Sequence, residues 1–344
     1  MKIKIANKLV GDNCPTFIIA EVGSNHNQDY DLALKHIDAA AEAGVDAVKF
    51  QTFKADNHVS TFAEIPEYLT GYDNIHQLIK TLELKRAWQK PLKEYAESKG
   101  LIFFSSPCDN EAVDGLEELK VPAHKVASFD LPDLDLIRHI AKTGKPILLS
   151  TGMADWMEIQ RAIDVCYEEK NENIILFQCT SLYPAPAELS NLKSMERMRN
   201  LFGVVTGYSD HTLGDLIPIA AVAMGAAIIE KHFTLDRTLP GPDHCFAIQP
   251  NEMKIMVDKI RQVELAMGDG SKVGPRAEEL DMYSKARRSI HAKIDIKAGD
   301  TITNEMLVTK RPGHGIEPFR KQEVIGSIAR INIAKDHWID WSMI

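Results

Sequence analysis

Eight short apolar runs in this 344-residue chain end in side chains able to do chemistry. TFIIAE ends on Glu21, and DAVKFQTF carries Lys49 and Gln51. LIFFSSP offers Ser105 and Ser106, HKVASF offers Lys125 and Ser128, and PILLSTG offers Ser150 and Thr151. IILFQCTS supplies Gln178 and Ser181, with Tyr183 just beyond. VVTGYSD ends on Ser209 and Asp210 before His211, while AIIEKHFT carries Glu230, Lys231 and His232, with Asp243 and His244 following. Lysine on an apolar strand needs a partner, because a bare buried ammonium is costly. That partner can be a neighbouring carboxylate. Two inward lysines with several hydroxyls suit an anionic, oxygen-rich ligand such as a phosphate. His211 and His232 end successive runs with Asp and Glu nearby, a set suited to a divalent ion that keeps open positions. Manganese or magnesium fits it better than structural zinc. Such an ion polarises a carbonyl oxygen. The competing chemistry is a Schiff-base aldolase, with Lys125 or Lys231 as the nucleophile.

These groups converge only if the runs are neighbouring strands with a common polarity. Each run is nearly continuously apolar at its start, as strands covered on both faces must be. Between them the apolar residues recur at three- and four-residue spacing, predicting helices over 29–43, 77–99, 110–119, 133–143, 155–170, 188–200, 213–225 and 250–267. Gly44, Gly100 and Gly144 stand where helix C-caps belong. Eight such units over about 250 residues predict a (β/α)8 TIM barrel, whose chemistry sits at the strand C-termini. A doubly wound open sheet is the alternative, but it would have fewer strands and no GxGxxG turn occurs here. The insertion over 54–76 would then border the catalytic mouth, and the N-terminal KIKIANKLVGD reads as a hairpin at the other end.

Residues 1–267 are therefore assigned to the barrel with its hairpin, 268–285 to a Gly/Pro/charged linker, and 286–344 to a small all-β domain of alternating runs and turns. With 40 basic and 49 acidic residues the chain carries a net charge of −9, which argues against nucleic acid as its main partner. Residues 286–344 hold 10 Lys/Arg against 7 Asp/Glu, or +3, which leaves −12 for the rest. Five cysteines without a CxxC pair make a disulfide framework or zinc knuckle improbable. The N-terminus lacks the apolar core of a signal peptide, and the longest apolar run, Leu216 to Ile229, is too short for a membrane span. A cytoplasmic protein with no membrane partner is expected.

The segments FIIAEVGSNHNQD, DAVKFQTFKAD, STGMA, QCTSLYPAPAELSNLKSM, YSDHTLG, IEKHFTLDRTLPGPDH and KRPGHGI, in this order, resemble the sialic acid (N-acetylneuraminate) synthases and their nonulosonate-synthase relatives. The resemblance runs through the C-terminal piece, which is similar to the family's antifreeze-like (SAF) domain. It implies a transferase that condenses phosphoenolpyruvate with N-acetylmannosamine and water to a nine-carbon 2-keto acid, releasing phosphate. A 2,4-diacetamido-2,4,6-trideoxyhexose, giving legionaminate or pseudaminate, is the alternative acceptor. By the same resemblance His211 and His232 hold the divalent metal, manganese first, with magnesium or cobalt able to serve. Lys49, Ser106, Lys125, Ser128, Ser150, Ser181 and Ser209 would cradle phosphoenolpyruvate. Glu21, Gln51, Tyr183 and Asp243 would meet the metal's water or the sugar, and Glu230 would act in acid–base chemistry. Arg311 matches an arginine that reaches into the partner's barrel, implying a domain-swapped homodimer with a shared site. The chain departs from the common pattern at Gln28 and His314. ASFDLPD on the fourth strand leans towards the pseudaminate and spore-coat relatives, whereas GPDH leans towards the sialate and legionaminate type.

Overall fold

Strand β3 (Phe17–Gly23) is buried at every residue, as a strand must be when side chains fill one face and helices cover the other. The same holds for β4 (Ala47–Thr52), β5 (Ile102–Pro107), β6 (His124–Val126) and β7 (Ile147–Ser150), apart from partial exposure of Gln51. With β8 (Ile174–Cys179), β9 (Val205–Asp210) and β10 (Ile228–His232), they pair in parallel. The strands close in the order β10-β3-β4-β5-β6-β7-β8-β9. This is the expected barrel. The computed structural model describes residues 1–66, 69 and 73–344.

An antiparallel hairpin, β1 (Lys2–Ile5) with β2 (Lys8–Gly11), precedes the barrel. It buries Ile3, Ile5 and Val10 in the barrel's core, so the N-terminal piece behaves as expected. The helix Tyr30–Ala43 shows the local logic of the units. Asp29 caps its start by accepting from Leu32 N–H, and Gly44 ends it with a left-handed φ of 80°. Ala33, Ile37 and Ala40 then face the sheet.

Not every expected helix is continuous. The one predicted over 77–99 is two, Ile75–Leu82 and Arg86–Ser98. They serve different cores: Leu78 and Leu82 join Phe53 and Leu69 in a small cluster, while Leu84 and Leu92 enter the main core. Between them the Glu83 carboxylate accepts from the Ala55 N–H at 2.7 Å, tying the break to the start of the 54–76 insertion. That insertion contains a short helix, Ala55–His58, and its residues 67, 68 and 70–72 lie outside the described residues. No helix among the described residues is long and apolar enough to cross a membrane.

The chain divides into two units, Met1–Gly268 and Asp269–Ile344. The stretch 268–285, read above as a linker, carries a helix over Leu280–Ala286 and groups with the second unit. There β11 (Ser289–Ala292) pairs antiparallel with β12 (Leu307–Lys310). The third alternating run adds only isolated bridges, such as His291 with Trp338 and Ile296 with Ile333. Ile290, Ile296, Ile302, Ile316, Ile333 and Ile339 form this unit's own core.

Two buried histidines make the barrel acid-sensitive. Burial holds His26 and His36 down to about 4, so both are neutral in the fold and protonate readily once it opens. Because the unfolded chain binds more protons, stability is full above about pH 6.5 and falls as pH drops towards 4. Unfolding in urea at pH 5 should show a loss of roughly 2 kcal/mol for each histidine relative to pH 7. His36→Leu should remove its share of that slope; an unchanged slope would refute the assignment.

Candidate active site

Parallel register explains why the polar strand ends meet. Glu21 lies beside Lys49 on β4 and beside His232 on β10, and Gln51 lies beside Ser106 on β5. Glu230 on β10 faces Ser209 on β9. Inside the barrel mouth these form one ionic network. Lys49 Nζ stands 2.8 Å from Glu21 Oε2, 3.9 Å from Glu230 Oε2, and donates to Ser106 Oγ at 3.0 Å. Lys125 Nζ stands 3.2 Å from Glu230 Oε1, which also accepts from Ser209 Oγ at 3.2 Å. Gln51 Nε2 donates to Glu21 Oε1 at 2.9 Å. The side chains of Lys49, Glu21, Lys125 and Glu230 are at most 5% exposed. The lysines thus have carboxylate partners, the first of the two readings the sequence allowed.

The electrostatics follow the geometry. Burial works to raise the Glu230 carboxyl, but Lys125 and Lys49 outweigh it and hold the group below its usual range. Glu21 is pushed up by burial, with Lys49 opposing and the Glu230 charge adding to the rise. Burial also lifts Asp243 to about 6.

Beside the lysines lies a cluster of hydroxyls. Ser128 Oγ accepts from the Gly152 N–H at 3.0 Å, while Ser150 Oγ and Ser181 Oγ are buried without a hydrogen-bond partner. A Cβ at position 152 would stand 2.3 Å from Ser181 Oγ and 2.8 Å from Ser128 Oγ. Glycine is required there so that the hydroxyls can close around a small space. Buried hydroxyls left unsatisfied call for an explanation, and a polar ligand in that space would supply one.

His211 and His232 come together as their places on successive strands predict, with ring centres 5.2 Å apart. His211 Nδ1 lies 2.7 Å from the Thr180 carbonyl, which places a proton on that nitrogen; burial opposes charge on the ring, but Cys179 and that carbonyl outweigh it and hold the group above its usual range. His232 is driven well below its usual value by burial, then by His211 and the nearby lysines, so its ring is neutral. Its Nδ1 is buried without a hydrogen bond, 3.7 Å from Asp243 Oδ2. A neutral His232 with an orphaned nitrogen, a second imidazole and a carboxylate beside it supply donors for a divalent ion, whose binding would displace any proton on the free nitrogen of His211. Tyr183 lies against this pair, 4.3 Å from the His211 ring and 6.1 Å from that of His232.

Some strand-end residues turn elsewhere. Lys231 Nζ donates to Asp210 and to the Thr212 carbonyl, so it is engaged between β9 and β10. Ser105 donates to the Phe50 carbonyl and meets Thr52, and Thr151 donates to the Phe177 carbonyl. Arg311 is exposed just after β12, in the second unit. Two site residues had no spacing signal. Gly152 is one; Phe246 is the other, its ring 5.1 Å from His232 and 5.3 Å from Tyr183.

A cavity of about 600 Å³ adjoins these groups, and Gln51, Ser106, Ser181, Tyr183, His232 and Asp243 line it at the chemical end. The far wall is apolar: Phe53, Val59, Leu69, Ile75, Leu78, Ile79, Leu82 and Phe129.

A closed parallel barrel with basic, hydroxylic and imidazole groups gathered at the strand C-termini has the layout of a barrel enzyme. Residues 36–272 match the NeuB family and residues 287–344 match the SAF domain. The chain belongs to the NeuB family, within the enzymes of sialic acid and nonulosonate synthesis. It is similar to the N,N'-diacetyllegionaminic acid synthase of Campylobacter jejuni, 44% identical over 330 residues that cover 94% of this chain and 98% of that one. It is also similar to the pseudaminic acid synthase of Helicobacter pylori, 38% identical over 320 residues, covering 92% and 94%. The crystal structure of the N-acetylneuraminic acid (sialic acid) synthetase from Leptospira borgpetersenii superposes with a TM-score of 0.74 at 35% identity, covering 82% of this chain and 95% of that one.

Proposed function

We propose that this enzyme condenses phosphoenolpyruvate with an open-chain N-acetylated amino sugar, forming a nine-carbon 2-keto acid and releasing phosphate. One observation carries the reading: two buried lysines and unsatisfied hydroxyls stand beside a pair of histidines at one barrel mouth. Lys49 and Lys125 would hold the anionic groups of phosphoenolpyruvate, with Ser106, Ser128, Ser150, Ser181 and Ser209 donating or orienting around them. Arriving anionic oxygens would take over part of the lysines' pairing with Glu21 and Glu230. His211 and His232 would hold the divalent ion, with manganese first and magnesium or cobalt as substitutes. When bound, the ion polarises the sugar's aldehyde oxygen. Gln51, Tyr183 and Asp243 would orient the sugar end. The methylene carbon of phosphoenolpyruvate attacks the aldehyde carbon, and water adds to C2. Glu230 or Glu21 would pass one proton of that water to the aldehyde oxygen, which becomes a hydroxyl, and the tetrahedral C2 would form its carbonyl by expelling phosphate through C–O cleavage, the second proton leaving with the phosphate. The lysines stabilise charge at each stage because they are already in place and dry.

Of the two acceptors expected from the sequence, the apolar wall favours the 2,4-diacetamido-2,4,6-trideoxyhexose. That sugar carries an acetamido group at C4 and a methyl at C6, where N-acetylmannosamine carries hydroxyls. Two more buried methyl groups, at about 0.8 kcal/mol each, predict a preference of roughly tenfold in kcat/KM. A phosphate-release assay with manganese and each sugar tests both levels. Equal or better use of N-acetylmannosamine would reverse the acceptor choice, and no phosphate with any of these sugars would refute the reaction.

Arg311 is proposed to complete the site of a partner subunit in a domain-swapped homodimer, steered by the −12 and +3 halves of the chain. Mixing Arg311→Ala with His232→Ala subunits should then restore part of the activity, since one of the two mixed sites is intact. A mixture no better than either parent, with subunit exchange demonstrated, would refute the shared site.

A further inference from the structure

The outer wall of the cavity holds a second set of metal-ligating side chains that the condensation does not use. His58 ends the short helix Ala55–His58, Cys108 follows β5, and Asp130 closes the turn Ser128–Asp130 after β6. Among the described residues, these are the only three or more His, Cys, Asp or Glu groups whose ligand atoms all lie within 4.8 Å of one another. All three line the cavity. They are also held in place. The Cys108 N–H donates to the Thr52 carbonyl at 3.1 Å, the Asp130 N–H donates to the Ala127 carbonyl at 3.0 Å, and the His58 ring stacks on Phe53 at 5.5 Å. Asp130 Oδ2 is buried with no hydrogen-bond partner.

We propose that His58, Cys108 and Asp130 form a second metal site, selective for zinc-like ions, whose occupation obstructs the acceptor cavity. The donor set decides the ion. One thiolate, one imidazole and one carboxylate suit a borderline-soft ion, whereas manganese and magnesium prefer oxygen. Tetrahedral zinc bonds of about 2.0–2.3 Å place ligand atoms roughly 3.3–3.8 Å apart, so the group need close by no more than about 1.5 Å at its widest. Two of the three ligands stand in short helical turns outside the barrel strands, where such a movement is cheap. Binding balances simply: the zinc ion displaces the thiol proton of Cys108, forms a Zn–S bond, and one proton leaves to solvent. The fourth position faces the cavity, so water or a sugar hydroxyl fills it. Zinc is therefore an inhibitor that competes with the acceptor, distinct from the ion at His211 and His232. The inhibition rests on the function proposed above; the binding does not.

The test uses the full chain carrying His211→Ala and His232→Ala, stripped of metal and titrated with cobalt(II). One equivalent should bind, with an intense near-ultraviolet thiolate-to-cobalt band and one proton released. Adding Cys108→Ser should abolish the band, and adding His58→Ala or Asp130→Asn instead should weaken binding at least tenfold. No band in the folded double variant would overturn the site. So would a band that survives Cys108→Ser, which would place the thiolate elsewhere, for instance at Cys179 beside position 211. A band without sugar-dependent phosphate release under any condition would leave the site standing and remove the proposed reaction instead. In the otherwise unaltered enzyme, held at saturating manganese, zinc should raise the apparent KM for the sugar, and Cys108→Ser should relieve that rise. Zinc inhibition unchanged by Cys108→Ser would overturn the obstruction.

Discussion

Alanine at His211 or His232 is expected to lower phosphate release about a thousandfold while leaving the fold intact. The loss corresponds to roughly 4 kcal/mol, the scale on which a bound ion stabilises developing charge on an oxygen. His211 is oriented by the Thr180 carbonyl and His232 presents a buried nitrogen with no other partner, so each ring has one nitrogen left to offer an ion. Removing either leaves a single imidazole, too few for tight retention of manganese. Metal content, measured after dialysis against manganese, should fall from one equivalent towards zero in both variants. The far-ultraviolet dichroism should not change. Full metal content with normal turnover in both variants would refute the ligand assignment.

Lys49→Met is expected to damage both folding and catalysis, in separable ways. Lys49 bridges two buried carboxylates, 2.8 Å from Glu21 and 3.9 Å from Glu230. Deleting one partner of a buried ionic group typically costs 3–5 kcal/mol, because the remaining charge has no compensation. Urea unfolding should register a loss of about that size. In Lys49→Met/Glu21→Gln the uncompensated charge is gone, so most of the stability should return. Activity should not return, because the cation that binds phosphoenolpyruvate is still missing. The double variant should show a KM for phosphoenolpyruvate raised at least about a hundredfold, or a kcat reduced to match. Recovery of activity along with stability would mean that Lys49 only holds Glu21 in place.

The eight barrel strands were legible because each is apolar on both faces at its start and polar at its end, a pattern few other folds require. That polarity change also exposed the site: His211 and His232 stand where β9 and β10 end, and Lys49, Lys125 and Glu230 lie within their strands as charged residues among apolar ones. Facing was less legible. Lys231 looked equivalent to Lys125 from the sequence, yet a shift of one place along β10 turns it to the opposite face of the strand from Glu230 and His232. There it meets Asp210, and its claim as a Schiff-base nucleophile weakens accordingly. The break between the helices at Glu83 was hidden because Leu82 and Leu84 are both apolar, although they enter different cores. Gly152 and Phe246 act through space alone: one is needed for what its missing Cβ would strike, the other for a ring brought back by the loop after β10. The group of His58, Cys108 and Asp130 was invisible for the same reason. Its members are 50 and 22 residues apart (58 to 108, then 108 to 130), and no metal motif has that spacing.

The fate of the bridging oxygen of phosphoenolpyruvate tests the central claim most directly. The substrate is labelled with oxygen-18 at the C–O–P bridge and turned over with manganese and the 2,4-diacetamido-2,4,6-trideoxyhexose. If Lys49, Lys125 and the serine cluster hold an anion that departs by C–O cleavage, the label should appear in inorganic phosphate, one for each keto acid formed. Label retained at C2 of the product, or a pyruvate adduct on Lys125 trapped by borohydride with full activity in EDTA, would contradict it.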